Sequence, residues 1–441
     1  MRETEKALEQ IIRDLTAKSK SAKNFAELEE EVFQAVQKFG RTALEGYGDE
    51  LVQRTSQGVK KNCPDCKKIA YLEKRQASLK SLWGEVKLTR HRMRCRSCGK
   101  SRSGYLDESL DESGTTPKLL RRMQYLSEEM SYLRAERYLL ECEIGISSSC
   151  IASVSETYEA KQNELVSAKL QSLETTPLCQ SKAAERVWML EVDGMMVPTR
   201  PEANTLEGKA EYKEVKSALL YLKNTPSERY QISSLENCHK FAPLVHGMIR
   251  LSGVRQNDVI VGLGDGARWI TTLFGDIGVD KHILDVYHAS SYFEIVMLAM
   301  DYSQEKREQE RKKLLSGEFN MQFWLNQHMT PQAREKILIA KNVTTQAGLS
   351  RSPKEALHYL EQQAMLKRMD YLDFKTQGFE VIGSGEIEGA NKNVLASRLR
   401  VSGARWGNGG QGKVMARAMS ACVRPVFDFD SVRLSAFPKP W

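Results

Sequence analysis

The feature that most constrains the fold is a pair of largely apolar runs, each of which ends in Asp-Gly. The first run, 187–192, leads into Asp193-Gly194, and the second, 259–264, leads into Asp265-Gly266. Short apolar runs bounded by turn residues are typical of buried strands. The other elements predicted here are a return strand from Met195, a strand over 217–222, a helix over 239–251 and a strand over 282–288. This order predicts an α/β fold with a mixed sheet covered by helices.

Asp193 and Asp265 would therefore lie at the edge of that sheet. Two such carboxylates, together with a helical glutamate, form a set that can hold two Mg²⁺ (or Mn²⁺) ions about 3.5–4 Å apart. Magnesium suits this set because it prefers carboxylate and phosphate oxygens and keeps part of its water shell. Asp-Gly pairs also close ordinary turns, so either aspartate alone leaves both interpretations open.

A glutamate of the required kind occurs in the segment 381–406. Gly383, Ser384 and Gly385 form a turn signal, and Glu386 and Glu388 follow at the start of a stretch with helical composition. Acidic residues are favourable in the first turn of a helix. Residues suited to DNA phosphates and bases follow: Lys392, Arg398, Arg400, Arg405 and Trp406. An amphipathic surface helix with a salt-bridged face is the alternative interpretation of this segment alone.

The 123 positions that separate Asp265 from Glu388 exceed what one crossover helix needs. Residues 291–375 fill most of that distance with charged or amphipathic helical sequence. A helical insertion in the sheet domain is therefore predicted.

Two CxxC pairs lie nearer the start of the chain. Cys63 and Cys66 are separated from Cys95 and Cys98 by 28 residues. Four thiolates in two such pairs favour a tetrahedral structural zinc site, since they leave no open position for water. Arg94 directly precedes the second pair and Arg96 lies within it, and both are candidates for DNA contact.

Helical patterns surround this cysteine-rich stretch. Residues 1–60 carry apolar residues at helical spacing and predict a helical scaffold or dimerisation arm. Between 134 and 156, a helix, a turn at Gly145 and a second helix from Ser147 outline a helix-turn-helix. Ser148 and Ser149 are the candidate phosphate contacts there, and an ordinary helical hairpin is the alternative.

Composition limits the class of protein. The chain has 441 residues, a net charge of +8 and a pI near 8.9, which favours a polyanionic partner. No apolar run approaches the roughly 18 residues of a membrane span. The charged N-terminus lacks the apolar core of a signal peptide. These features predict an intracellular protein that does not associate with a membrane.

Four stretches of the chain together resemble the DDE transposases of bacterial insertion sequences: VDGMMVP, GLGDGARWI, DVYH and GSGEIEGANKNVLASRLRVSGARW. The resemblance is to the Kra-type group, related to the Mutator-like transposases, and covers roughly 185–410. It implies an RNase H-like core whose catalytic, Mg²⁺-binding residues are Asp193, Asp265 and Glu388. Glu388 is chosen over Glu386 because the family pattern Gly-Ser-Gly-x-x-Glu-Gly places its glutamate there. The Asp-x-x-His element falls on Asp285 and His288 as accessory residues.

The predicted organisation is a set of six regions. These are an N-terminal helical region (1–60), a zinc-ribbon-like module (61–115), a helix-turn-helix-like region (116–180), an RNase H-like domain (181–290 and 376–425), a helical insertion (291–375) and a tail (426–441).

The resulting hypothesis is a cytoplasmic, nucleoid-associated DNA transposase that cleaves and joins strands with Mg²⁺. Its partners would be terminal inverted repeats and target DNA, and it would act as a homodimer or larger oligomer. Two other classes stay open: a DNA-binding protein derived from a transposase without catalysis, and a metal-dependent nuclease without strand transfer.

Overall fold

The computed structural model describes residues 2–56, 61–63, 65–104, 114–199, 211–345, 350–380 and 382–400. Within them the chain forms two compact units, which divide after Gln162. That division falls inside one long helix, Ser148–Glu174.

The first unit begins with two helices, α1 (Arg2–Ser21) and α2 (Phe25–Ser56). Asn24 starts α2 through a reciprocal cap: its side chain accepts from the amide of Glu27, and the Glu27 carboxylate accepts from the amide of Lys23. Leu8 and Ile11 on α1 are buried. Both helices lie in the stretch for which a helical region was predicted.

A four-stranded antiparallel sheet follows, in the order β1 (Lys61–Asn62), β2 (Ile69–Ser81), β3 (Gly84–Arg94) and β4 (Ser101–Gly104). The β2–β3 hairpin pairs Tyr71 with Arg94 at one end and Ser81 with Gly84 at the other. Leu79 and Val86 form a small buried cluster inside it. The hairpin is long enough to accommodate the 28 residues between the two CxxC pairs.

Three helices complete this unit: α3 (Pro117–Glu129), α4 (Tyr132–Glu141) and α5 (Ser148–Glu174), the last of which continues into the second unit. Leu119 and Met123 of α3, Leu139 of α4 and Ile151 of α5 share one buried core. The helix, turn and helix predicted between 134 and 156 are present as α4, residues 142–147 and α5.

The second unit is built on a five-stranded mixed sheet in the order β7-β6-β5-β8-β9. Its strands are β5 (Val187–Thr199), β6 (Glu211–Leu222), β7 (Thr225–Ser234), β8 (Val259–Gly264) and β9 (Lys281–Leu284). The first three are antiparallel, whereas β8 and β9 run parallel to β5. The predicted mixed sheet flanked by helices is confirmed, and it fits an RNase H-like core.

Two details of the sequence prediction are wrong. Asp193-Gly194 does not end a strand, because β5 runs on to Thr199 with Asp193 paired to Ser217. The last strand ends at Leu284, because Asp285 caps the next helix through its side chain. In the first case pairing with another strand overrides the local turn signal, and in the second a side-chain cap on an amide three residues ahead ends the strand.

The helices that cover the sheet are α6 (Cys238–Leu251), α7 (Arg268–Ile277) and α8 (Val286–Ala299). The insertion is helical, as predicted, with one small antiparallel pair of strands. It consists of α9 (Gln304–Leu315), α10 (Met321–His328), α11 (Pro331–Ile339), β10 (Val343–Thr344), β11 (Ser350–Arg351), α12 (Pro353–Met365) and α13 (Tyr371–Thr376). Phe293 and Trp324 lie in the core that joins these helices to the sheet.

After the insertion the chain returns to the sheet as α14 (Gly385–Ala390), a π-helical turn (Asn391–Ala396) and α15 (Ser397–Leu399). Leu395 and Leu399 are buried against Val197 and Val215. No helix of the described ranges is long and apolar enough to cross a membrane.

Candidate functional site

Three aspartates lie at the same level on neighbouring strands: Asp265 and Asp285 follow the ends of β8 and β9, whereas Asp193 lies within β5. The parallel register aligns Val192 of β5 with Gly264 of β8, and Gly264 with Leu284 of β9. Asp193, Asp265 and Asp285 are the next residues on the three strands. The carboxyl ends of neighbouring parallel strands are a common place for ligand sites. The sheet therefore brings together two of the predicted catalytic residues and one accessory residue.

Asp193 and Asp265 each keep acceptor capacity. Asp193 accepts from the amide of Gly194 at 2.7 Å through Oδ1 and from Asn391 Nδ2 at 2.8 Å through Oδ2. Asp265 Oδ1 accepts from the amide of Ala267 at 2.9 Å. An ionised carboxylate has about four lone-pair sites, so these contacts leave room for a cation.

Asp285 is occupied differently. Its Oδ1 accepts from the amide of His288 at 2.6 Å, and its Oδ2 accepts from both the amide and the hydroxyl of Ser384 at 2.6 and 2.7 Å. The residue is 2% exposed. Asp285 therefore joins the start of α8 to the Gly383–Ser384–Gly385 turn. His288 lies in the first turn of α8, where its ring packs against Tyr292 and Tyr359.

Glu386 and Glu388 differ in their surroundings. Glu386 forms an ion pair with Arg229 at 2.6 Å. Glu388 is exposed and lies one residue after Ile387, which is fully buried. Burial, followed by the charges of Asp285 and Asp193, raises the pKa of Glu388. Glu388 is thus electrostatically coupled to the aspartates at the sheet edge.

The same coupling acts on Asp193. Burial is the main cause that raises its pKa, and the charges of Asp265 and Asp285 raise it further. A group of carboxylates that disfavour one another's ionisation is stabilised by a bound cation. The electrostatics at this edge of the sheet therefore favour cation binding.

The donor atoms suit magnesium. Asp193, Asp265 and Glu388 supply oxygen ligands, and Asn391 adds a buried Oδ1 that has no hydrogen-bond partner within the protein. The carboxylate oxygens of the three acids are not gathered within 4.8 Å of one another.

Two residues of this site were missed by the sequence analysis. Glu191 is a fully buried carboxyl two residues before Asp193, and Asn391 contacts Asp193 directly. A signal for Glu191 exists, because a charged residue inside an otherwise apolar strand requires a buried partner. Nothing in the local sequence marks Asn391 as a neighbour of Asp193.

The four cysteines form a separate cluster in the first unit. The sulfur atoms of Cys63, Cys66, Cys95 and Cys98 all lie within 4.8 Å of one another. The Cys63–Cys98 and Cys66–Cys95 sulfur distances are 3.6 and 3.4 Å. A tetrahedral site with Zn–S near 2.3 Å separates its sulfurs by about 3.8 Å. This cluster could hold a zinc ion.

Each CxxC pair is shaped by its own backbone. The amide of Cys63 donates to Lys68 O and that of Lys67 to Cys63 O, while Cys95 and Gly99 make the matching pair of bonds. The amide of Cys98 donates to the Cys95 sulfur and lowers the pKa of that thiol to about 6, although burial opposes the shift. Thiolates are the form that binds metals.

The candidate DNA contacts are distributed over both units. Lys392 is exposed in the π-helical turn, whereas Arg400 donates from Nε to Met196 O at 2.8 Å. Arg94 is exposed, and the Arg96 guanidinium lies 4.3 Å above the Tyr71 ring. Arg398 belongs to α15, but its side chain is outside the described part of the chain, as are Arg405 and Trp406.

The serines that precede α5 have local roles. Ser147 caps the helix by accepting from the amide of Cys150, and the amide of Ser148 donates to Glu136 on α4 at 2.9 Å. The hydroxyl of Ser149 lies 3.0 Å from that of Ser147. Ser148 thus ties α5 to α4, and Ser149 remains exposed.

Comparison with known proteins finds neighbours only among solved structures. No protein-family model and no curated protein matches the chain. Among solved structures, the chain is similar to the Drosophila P element transposase strand transfer complex, with 9% identity and a TM-score of 0.26. The match covers 69% of this chain and 91% of that one. No conclusion about this chain rests on that similarity.

Proposed function

We propose that the protein is a DDE-type DNA transposase of an insertion sequence, related to the Kra-type and Mutator-like groups. The observation that carries the proposal is the alignment of Asp193 and Asp265 on neighbouring parallel strands, with Glu388 coupled electrostatically to Asp193. The RNase H-like interpretation of the sheet is part of the same proposal.

Asp193, Asp265 and Glu388 would hold two Mg²⁺ or Mn²⁺ ions. Bound metals of this kind activate a water or a 3′-hydroxyl and stabilise the leaving oxygen of a phosphodiester. Asn391 keeps one oxygen of Asp193 oriented by its hydrogen bond. Asp285 fixes the turn before α14. The ring of His288 packs against Tyr292. Both would act as accessory residues.

The basic residues around α14 would neutralise DNA phosphates near the scissile bond. Lys392 is the described side chain best placed for this role, because it is exposed within one turn of Glu388. We assign the same role to Arg398, Arg400 and Arg405, and Trp406 would stack on a DNA base. The thiol cluster, as a structural zinc site with Arg94 and Arg96, would recognise the terminal inverted repeats together with Ser148 and Ser149.

Two DNA ends require at least two copies of the chain, and α2 offers a surface for a second copy. Phe25, Val32, Val36 and Phe39 follow one another at intervals of seven, four and three residues, and each is at least 40% exposed. These intervals match the seam of a coiled coil. Glu29 falls on the same seam. An antiparallel pair is expected, because it does not place the two copies of Glu29 opposite each other.

Sedimentation of the DNA-free protein tests this surface. Val36→Glu with Phe39→Glu should convert a dimer into a monomer, because it buries charge in the seam. Leu140→Glu, an equally drastic change at an exposed position of α4, should leave the dimer intact. A monomeric unaltered protein, or a dimer that survives both seam substitutions, would contradict the proposal.

The main experiment measures Mg²⁺-dependent cleavage of DNA that carries the element's own ends. Glu388→Gln should abolish cleavage and preserve DNA binding, whereas Glu386→Gln should retain most activity because Glu386 is engaged with Arg229. If Glu386→Gln is the inactive variant, the glutamate is assigned wrongly. Adding target DNA separates strand transfer from a nuclease activity. Binding without cleavage by the unaltered protein indicates a non-catalytic DNA-binding protein.

A further inference from the structure

Glu191 is a carboxyl group at the centre of the sheet that the proposed chemistry does not use. It lies on β5 two residues before Asp193, so the two side chains project from the same face of the strand. Its relative exposure is 0%. A buried carboxyl in an apolar strand is costly unless its oxygens receive hydrogen bonds.

Both oxygens of Glu191 are engaged by defined donors. The Tyr221 hydroxyl, from the neighbouring strand β6, donates to Oε1 at 2.6 Å. The backbone amide of Ile387 donates to Oε2 at 2.8 Å. Ile387 lies in the first turn of α14, where amides have no acceptor within the helix, so Glu191 satisfies one of them from across the sheet.

This contact is one of three hydrogen bonds by which the α14 segment reaches carboxylates at the sheet, in addition to the ion pair between Glu386 and Arg229. Ser384 donates to Asp285, Ile387 donates to Glu191, and Asn391 donates to Asp193. The three donors are three and four residues apart, which places them on one face of a helix. Glu388 follows directly after the middle one.

We infer that Glu191 is a positioning residue, which fixes the height of Glu388 above the sheet by binding the amide of Ile387. The inference rests on the proposed function, since it concerns the placement of a proposed metal ligand. Glu191 contacts neither substrate nor reacting atoms. Its side-chain length and its acceptor oxygen perform the task, and its negative charge does not.

Three substitutions separate length from charge. Gln in place of Glu191 can accept from Ile387 N and donate to Tyr221, so Glu191→Gln should keep the cleavage rate within about tenfold. Glu191→Asp keeps the charge but loses one methylene of reach. It should lower kcat about 100-fold and raise the Mg²⁺ concentration for half-maximal rate, as expected for a ligand displaced by about 1 Å. Glu191→Ala should do the same.

Asp258 provides a matched control. Its side chain is also fully buried and paired with Arg186 and Trp188, but it precedes β8, at the end opposite Asp265. Asp258→Asn should reduce stability without changing the Mg²⁺ requirement. DNA affinity should be unchanged in all four variants.

The outcomes are distinct. Low activity in Glu191→Asp with high activity in Glu191→Gln supports the inference. Equal loss in both, or no loss in either, overturns it. If the unaltered protein does not cleave, the proposed function fails. Hydrogen exchange then tests whether Glu191 holds the amide of Ile387. Amides 387–391 should exchange faster in Glu191→Asp than in Glu191→Gln or Asp258→Asn, and equal rates overturn it.

Discussion

The thiol cluster and the carboxylate site are both suited to metals, but they are assembled in different ways. The thiols of each CxxC pair are three residues apart, and the backbone turn around each pair sets their directions. Asp193, Asp265 and Glu388 come from positions far apart in the chain, and strand register and tethers bring them together. The thiols lie within 4.8 Å of one another, whereas these carboxylates do not.

This difference has a physical basis. The amides of Lys68 and Lys100 lower the pKa values of Cys66 and Cys98, but Cys95 and burial raise them further, so these two thiols keep their protons until zinc binds. Protonated thiols can approach neighbouring sulfurs closely without a metal. Carboxylates are charged at neutral pH, and burial, followed by the charges of neighbouring aspartates, raises the pKa values of Asp193 and Glu388. We therefore expect the thiol site to be a folding element and the carboxylate site to be stable without its metal.

The largest predicted effect lies at the carboxylate site. Asp265→Asn should lower end cleavage by at least about 10³-fold, because it removes the charge that holds the metal. Folding and DNA binding should persist. Asp276→Asn, an exposed change on α7, serves as the control and should be silent. An unfolded Asp265→Asn protein would break the distinction between the two regions.

Zinc removal, in contrast to Asp265→Asn, should disrupt the fold around its site. The protein should contain one zinc per chain, and Cys95→Ser or a chelator should disorder β2–β4 and abolish binding of the DNA ends. Circular dichroism and zinc release measure this loss. Cys179→Ser changes an exposed cysteine outside the cluster and should have no effect. If the chelated protein keeps the order of this hairpin, the cluster is not a folding element.

Acid should destabilise the sheet unit at a histidine that is independent of metal. Burial, helped by the charge of Arg368, lowers the pKa of His282 on β9 to about 3. The unfolded state binds a proton there below about pH 6.5 and the folded state does not, so stability falls as pH drops. Between pH 6.5 and 4.5 the loss should approach about 2–3 kcal/mol.

Denaturant unfolding with and without His282→Phe measures that contribution. The variant should flatten the pH dependence over this range, since its aromatic ring keeps the contact with Phe274 but cannot take up a proton. His239→Gln, at an exposed position on α6, should leave the slope unchanged. An unchanged slope in the His282 variant would contradict the assignment.

The smallest predicted effect compares the two cysteine turns. Lys67 has φ +61° at the position where the second turn has Gly99 with φ +72°. Left-handed backbone strains a residue with a side chain, so Lys67→Gly should stabilise the zinc-bound unit by about 1 kcal/mol or less. Gly99→Ala should destabilise it by a similar amount. Thermal unfolding of the zinc-bound protein measures both changes, and a Lys67→Gly variant that is less stable would contradict the prediction.

The sequence by itself determined the elements whose signals are local. The CxxC turns, the helical insertion and the apolar strands before Asp193, Asp265 and Asp285 were all predictable, because spacing and periodicity fix them over a few residues. The strand ends were less predictable. β5 passes through Asp193-Gly194 because β6 pairs with it there, and β9 stops because Asp285 turns to cap α8.

Only the tertiary structure decided how the acids are arranged. Register places the three aspartates in line, and Arg229, which lies 157 positions before Glu386, distinguishes that glutamate from Glu388. Glu191 binds an amide 196 positions away. A local pattern cannot encode such contacts, because they depend on which distant groups the folded sheet brings within hydrogen-bond distance and on the burial that makes those bonds necessary.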